Sequence, residues 1–205
     1  MEAYITVENF GEGRIVEKHS KFIASVYPIE TESQAIEHIN AAKRKYWDAK
    51  HNVYAYILKD GTCRYTDDGE PSGTAGVPVL DTLKKQGIVN CLVIVTRYFG
   101  GILLGTGGLV RAYTSAANEG IKNANVVKMV PAHICKITCE YSEYDQLMRI
   151  LSDGNAKVIN SEFLANIEIE FSVRYEDFEN LENKINEIFC TRLKITKIQE
   201  KYEFF

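Results

Sequence analysis

Apolar and polar positions along this 205-residue chain change period several times, and each change marks an element. Residues 13–28 alternate loosely, which predicts a pair of strands. Thr31 with Gln34 three residues on is a capping-box pair, and Ala35, Ile36, Ile39, Ala42 and Tyr46 then keep helical spacing on one face. Val53, Ala55 and Ile57 alternate with Asn52, Tyr54 and Tyr56, and Asp60-Gly61 turns that strand into a short partner over 62–66. Val77, Leu80 and Leu83 indicate a helix ending near Gly87, with Pro78 tolerated in its first turn. Residues 91–95 are apolar throughout, as in a central strand covered on both faces. In the helix that follows, Leu109, Tyr113, Ala116, Ala117, Gly120, Ile121 and Ala124 share one side. Arg111, Ser115, Asn118 and Lys122 fall on the other, so Arg111 points away from the core.

The pattern restarts around 126–131. Residues 134–141 alternate as a strand, and Ser142 is placed to cap a helix carrying Tyr144, Leu147, Met148 and Leu151 that stops at Asp153-Gly154. Strands follow near 156–160 and 164–173, then a helix with Phe178, Leu181, Ile185 and Ile188, then a last strand near 193–202. The order β-α-β-β-α-β is that of a ferredoxin-like split βαβ unit. The chain therefore reads as an α+β protein of two domains, 1–130 and 131–205, without repeats or low-complexity stretches.

Composition adds little beyond an ordinary globular character, at 45% hydrophobic and 25% charged residues. No run approaches the roughly 18 apolar residues that cross a bilayer. Met1-Glu2-Ala3-Tyr4 lacks the basic stretch and apolar core of a secretory signal, so a cytoplasmic protein with no membrane partner is expected. The five cysteines suit neither a zinc ribbon nor a redox pair. Cys135 and Cys139 share one side of a strand and read as reduced core thiols, and no metal site or cofactor is expected. Charge is uneven: residues 1–130 hold 15 Lys and Arg against 14 Asp and Glu, whereas residues 131–205 hold 9 against 14. Neither half has the bulk basicity of a non-specific nucleic-acid binder. The one tight basic run, Lys43, Arg44, Lys45 and Lys50, reads as a solvated helix end.

Two segments concentrate chemistry. Between the apolar strand and its helix, five of the 14 glycines (Gly100, Gly101, Gly105, Gly107 and Gly108) fall inside nine residues, bracketed by Arg97 and Arg111. In one reading the bare amides and helix N-terminus face an anion, with both guanidiniums adding charge-assisted hydrogen bonds. In the other the glycines only permit tight turns and close helix–sheet packing. Neither nucleotide-loop fingerprint is met. The second segment, 67–76, holds Asp67, Asp68, Glu70, Ser72 and Thr74. Asp67, Asp68 and Glu70 could bind a hard cation or serve as acid and base, form a partner-recognition loop or pair with the arginines, or be plain turn chemistry. Ser72 or Thr74 as a nucleophile would require a base, and His51 is the single candidate in the sequence. Among the aromatics near the basic residues, Tyr98 at the mouth of the glycine turn is the best placed to stack on a base, while Tyr54, Tyr56, Tyr65 and Phe99 read as core.

The strings His51-Asn52-Val53-Tyr54-Ala55-Tyr56, Asp67 through Gly76 with Pro78, and Thr96 through Tyr113 resemble the IMPACT/YigZ family, and the resemblance runs the whole length. It implies an N-terminal domain like domain 2 of ribosomal protein S5. It further implies a ferredoxin-like C-terminal domain similar to one of elongation factor G. Eukaryotic members resemble translation regulators that bind the activator of a starvation-responsive kinase acting on an initiation factor, a pathway that bacterial-type members lack. The expected function is a non-enzymatic, translation-associated regulator binding RNA, the ribosome or a translation-related protein. Its groove would use His51, Asp68, Glu70, Ser72, Thr74, Arg97, Tyr98, the five clustered glycines and Arg111. No residue is assigned as catalytic. The alternative is an enzyme or binding protein for a phosphorylated small molecule or nucleotide.

Overall fold

The computed structural model describes residues 2–205, and the chain divides into two units, Tyr4–Lys128 and Met129–Phe205, the described residues before Tyr4 grouping with the latter. In chain order the first contains β1 (Tyr4–Val7), β2 (Gly11–Glu17), β3 (Ser20–Pro28), α1 (Glu32–Lys45), β4 (His51–Ile57), β5 (Cys63–Thr66), α2 (Gly76–Gln86), β6 (Cys91–Tyr98) and α3 (Gly105–Asn123). The continuous apolar run becomes β6, at the centre of an antiparallel sheet ordered β2-β3-β6-β4-β5. Both faces are covered, as that run predicts. Val93 and Val95 join Val53, Ala55, Leu83 and Tyr113 beneath α2 and α3, while Leu92 and Ile94 join Ile39, Ala42 and Tyr56 beneath α1.

Local chemistry sets the helix ends. Thr31 and Gln34 form the expected capping box, and Gly87 closes α2 at φ 65°. The position of α3 depends on two glycines of β2. A Cβ on Gly13 would lie 2.4 Å from the Gly120 amide nitrogen, and one on Gly11 would lie 2.4 Å from that of Ala124. The helix backbone thus rests directly on the strand.

β7 (Val126–Cys139) starts at the end of the first unit and continues in the second, where α4 (Tyr144–Asp153), β8 (Lys157–Phe163), β9 (Ile167–Arg174), α5 (Tyr175–Ile188) and β10 (Thr196–Glu203) follow. Its strands pair in the order β10-β7-β9-β8, all antiparallel. Cys135, Ile137, Ile169, Phe171 and Val173 pack against Leu147, Leu151, Leu181 and Ile185. Cys135 and Cys139 are buried free thiols, and burial pushes Cys135 up to about 11, so it stays protonated.

Three local expectations differ. The short β1 carries no clear alternation, and the Val89 N–H donates to its Ile5 carbonyl at 2.9 Å. β7 runs unbroken through Pro131, which pairs in register with Tyr202 of β10 and lies one residue before the β9 ladder begins at Ala132, so on the β9 side no donor is required of it. Ser142 does not cap α4. The N-cap is Glu143, whose carboxylate instead accepts from the Glu140 amide at 3.0 Å and forms an ion pair with Arg192 at 2.8 Å.

Because α3 and β2 meet backbone to backbone, even one methyl there forces the layers apart. Gly13→Ala is expected to destabilise the first unit by about 1–3 kcal/mol, read as a lower urea midpoint, whereas Gly61→Ala, with open space around it, carries only the smaller cost of its positive φ.

Candidate functional site

Strand alternation continues from Val93 and Val95 to Arg97, which therefore points under the helices and is only 5% exposed. A guanidinium there demands a counter-charge. Glu70, itself 8% exposed, supplies it: Arg97 Nη1 donates to Glu70 Oε1 at 2.6 Å. The Tyr113 hydroxyl donates to the same oxygen at 2.8 Å, and His51 Nε2 lies 3.7 Å away. His51 pairs directly with Arg97 across the β4–β6 ladder, so register alone sets those two side by side.

The 67–76 loop carries Glu70 to this point. Asp67 accepts N–H bonds from Gly73 at 2.8 Å, Ala75 at 3.1 Å and Gly76 at 2.8 Å, capping α2 from outside because its own N-cap, Ala75, has no side-chain oxygen. Asp68, in the left-handed region at φ 43°, accepts from the Asn52 amide at 2.6 Å. Its carbonyl lies 2.7 Å from His51 Nδ1. A carbonyl only accepts, so Nδ1 carries the proton and Nε2 faces Glu70. Burial first, then the Glu70 carboxylate, push the Tyr113 phenol far up, so it remains a donor. Arg97 Nε has no partner among the described residues.

Beside this network lies a cavity of about 440 Å³, within the range of ligand pockets. Its walls include Lys50, His51, Glu70, Arg97, Phe99, Leu103, Leu104, Gly105 and Thr106. The N-terminus of the 19-residue α3 opens here with no side-chain cap and no acidic residue in its first turn. Its leading amides and the positive end of the helix dipole are thereby left for other acceptors.

His51, Glu70, Arg97 and Gly105 thus come together at one cavity, with Asp68 bracing His51 from behind. Gly100 supports the wall: a Cβ would lie 2.1 Å from the His19 carbonyl carbon, and its N–H donates to Ser20 Oγ at 3.1 Å. Other expected members sit elsewhere. Arg111 is exposed and lines a separate shallow recess with Ser115, Asn118 and Lys122, so the two arginines do not share one mouth. Tyr98 projects to the opposite sheet face from Arg97 and donates to Asp48 Oδ1 at 2.9 Å. Ser72 is exposed on the loop, and the buried Thr74 hydroxyl donates to the Pro71 carbonyl at 2.6 Å, a turn contact. Gly101 turns the chain at φ 86°, while Gly107 and Gly108 lie inside the start of α3.

Sequence reasoning passed over Lys50, Leu103, Thr106 and Tyr113. As part of the basic run Lys50 reads as a solvated helix end, although its place just before His51 puts it at the strand mouth. Tyr113 was visible as a core position, but nothing local showed which carboxylate its hydroxyl meets.

Fold and site define an α+β protein of two units, the first with a cavity floored by a buried ionic network. Residues 18–121 match the Impact N-terminal domain, and residues 137–189 match a domain of unknown function (DUF1949). The chain is 37% identical over 179 residues to the IMPACT family member YvyE of Bacillus subtilis (strain 168), covering 86% of this chain and 82% of that protein. It is 31% identical over 175 residues to YigZ of Escherichia coli (strain K12), covering 78% and 86%. Protein IMPACT homolog of Dictyostelium discoideum is 40% identical over 97 residues, 44% of this chain and 28% of that one. A crystal structure titled as that of a hypothetical protein aligns with TM-score 0.61 at 27% identity, over 97% of this chain and 98% of the other. This chain belongs to the IMPACT family.

Removing one member of a buried pair strands the other. Glu70→Ala is expected to cost about 3–5 kcal/mol, and adding Arg97→Ala should cost far less than Arg97→Ala alone, a non-additivity read from a double-mutant unfolding cycle. Tyr113 also gives a pH signature. Below its ordinary value of 10.0 both folded and unfolded chains keep the proton; above it only the unfolded chain releases it, so stability falls as pH rises. Tyr113→Phe should make that alkaline decline shallower by up to about 1.4 kcal/mol per pH unit, measured by urea unfolding from pH 9 upward.

Proposed function

We propose that this protein is a non-enzymatic, cytoplasmic, translation-associated regulator that binds RNA, free or within the ribosome, through the cavity at the open end of α3. The uncapped α3 N-terminus beside Lys50 carries the reading. Phosphate oxygens are natural acceptors for such amides, and the ammonium adds a point charge. Arg97 follows the pairing alternative rather than reaching for an anion. With Glu70 it forms a nearly neutral floor, so binding charge falls to Lys50 and the helix.

Fold-level kinship supports the translational part by analogy. The β10-β7-β9-β8 order with α4 and α5 as its crossovers is compatible with a ferredoxin-like domain over 131–205, and the sheet of the first unit with an S5-like domain over 1–130. The IMPACT relatives support a shared role without specifying the partner.

A second reading rests on cavity volume: about 440 Å³ also suits a phosphorylated small molecule or nucleotide. A ligand of that kind at 100 times its Kd raises stability by about 2.7 kcal/mol, so a thermal-shift screen separates the two.

Binding to ribosomes and to structured RNA should weaken steeply as salt rises from 50 to 200 mM. Lys50→Ala should reduce the salt slope by about 1, measured by fluorescence anisotropy. Salt-insensitive binding, or none, would overturn the RNA reading, and a nucleotide-specific thermal shift would favour the second.

A further inference from the structure

Trp47 is the one tryptophan of the chain, and it stands 82% exposed. A large apolar ring left in water does nothing for the fold, and such rings are enriched where partners bind. Trp47 occupies the segment between α1 and β4, after Lys43, Arg44 and Lys45 and before Lys50. That segment is tied to the end of β6, since Asp48 accepts from the Tyr98 hydroxyl at 2.9 Å and Lys50 Nζ lies 5.8 Å from the Phe99 ring centre. Phe99 is 44% exposed, and Leu103 beyond it is 83% exposed. Lys50, Phe99 and Leu103 are also cavity walls, so these three residues adjoin the proposed phosphate site, with Trp47 three residues before Lys50.

Aromatic faces interleaved with cations suit one class of polymer. Unpaired nucleotides offer flat bases for stacking and phosphates for the ammonium and guanidinium groups, whereas a duplex keeps its bases stacked inside. The acid nearest in sequence, Asp48, is already engaged by Tyr98.

We propose that the 46–50 and 99–103 segments form a stacking platform for single-stranded RNA, with Trp47 and Phe99 as its ring faces. The proposal rests on the RNA-binding reading above and adds a preference for unpaired strands.

A solitary tryptophan makes the test direct. An unstructured 12-nucleotide RNA and a duplex of the same length are titrated at low salt, following intrinsic fluorescence and, with labelled RNA, anisotropy. The single strand should quench Trp47 emission and bind more tightly than the duplex. Trp47→Ala and Phe99→Ala should each weaken it on the order of tenfold or more, while Trp47→Phe largely restores binding; circular dichroism verifies that the variants fold. Salt-sensitive RNA binding without quenching, without loss in these variants, or without preference over the duplex overturns the platform and leaves the RNA reading standing. Binding of neither RNA overturns both. A protein partner lost on Trp47→Ala, with RNA unbound, overturns the proposal in favour of protein docking.

Discussion

The Arg97–Glu70 contact organises the first unit. A guanidinium under two helices is tolerable only with a carboxylate at hydrogen-bond distance, and the 2.6 Å contact between them supplies it. Glu70 comes from a loop, so satisfying Arg97 draws that loop over the end of the sheet. Tyr113 of α3 donates to the same oxygen, which ties strand, loop and helix at one atom. Satisfying a buried charge thereby sets the floor and one wall of the cavity.

The other wall has a different origin. Gly11 and Gly13 let α3 lie against the β2 backbone, and Gly100 lets the loop before α3 approach His19 just as closely. Both contacts fix where the helix starts, and therefore where its free amides point. The clustered glycines divide into distinct tasks: Gly100 permits close approach, Gly101 and Gly105 supply positive φ, and Gly107 and Gly108 belong to the helix. The close approach of Gly100 to His19 fits the packing reading of the glycines, and its N–H is taken by Ser20 Oγ.

Asp67 illustrates how acids close together in sequence separate in role. It spends its carboxylate on three amides at the start of α2, Asp68 braces Asn52 and His51, and Glu70 neutralises Arg97. The loop's acidity is therefore consumed internally rather than presented to a cation. That leaves Lys50 and the α3 N-terminus as the cavity's net electrostatic character.

By itself the sequence determined what depends on neighbours within a few residues. The capping box at Thr31, the αL stop at Gly87, the doubly covered β6 run and the shared face of Cys135 and Cys139 all follow from local periodicity and backbone preference. Alternation even held the clue that Arg97, two residues past Val95, faces inward, and that Tyr98 faces the other way. Only the tertiary structure decided which charges meet, because Glu70 lies 27 residues from Arg97 and Tyr113 lies 43 from Glu70. Pairing at such separations follows from sheet register, loop path and helix packing acting together. No window of sequence encodes it, and for that reason the sequence left open whether the loop acids pair with Arg97, with Arg111 or with neither, and which acid does so.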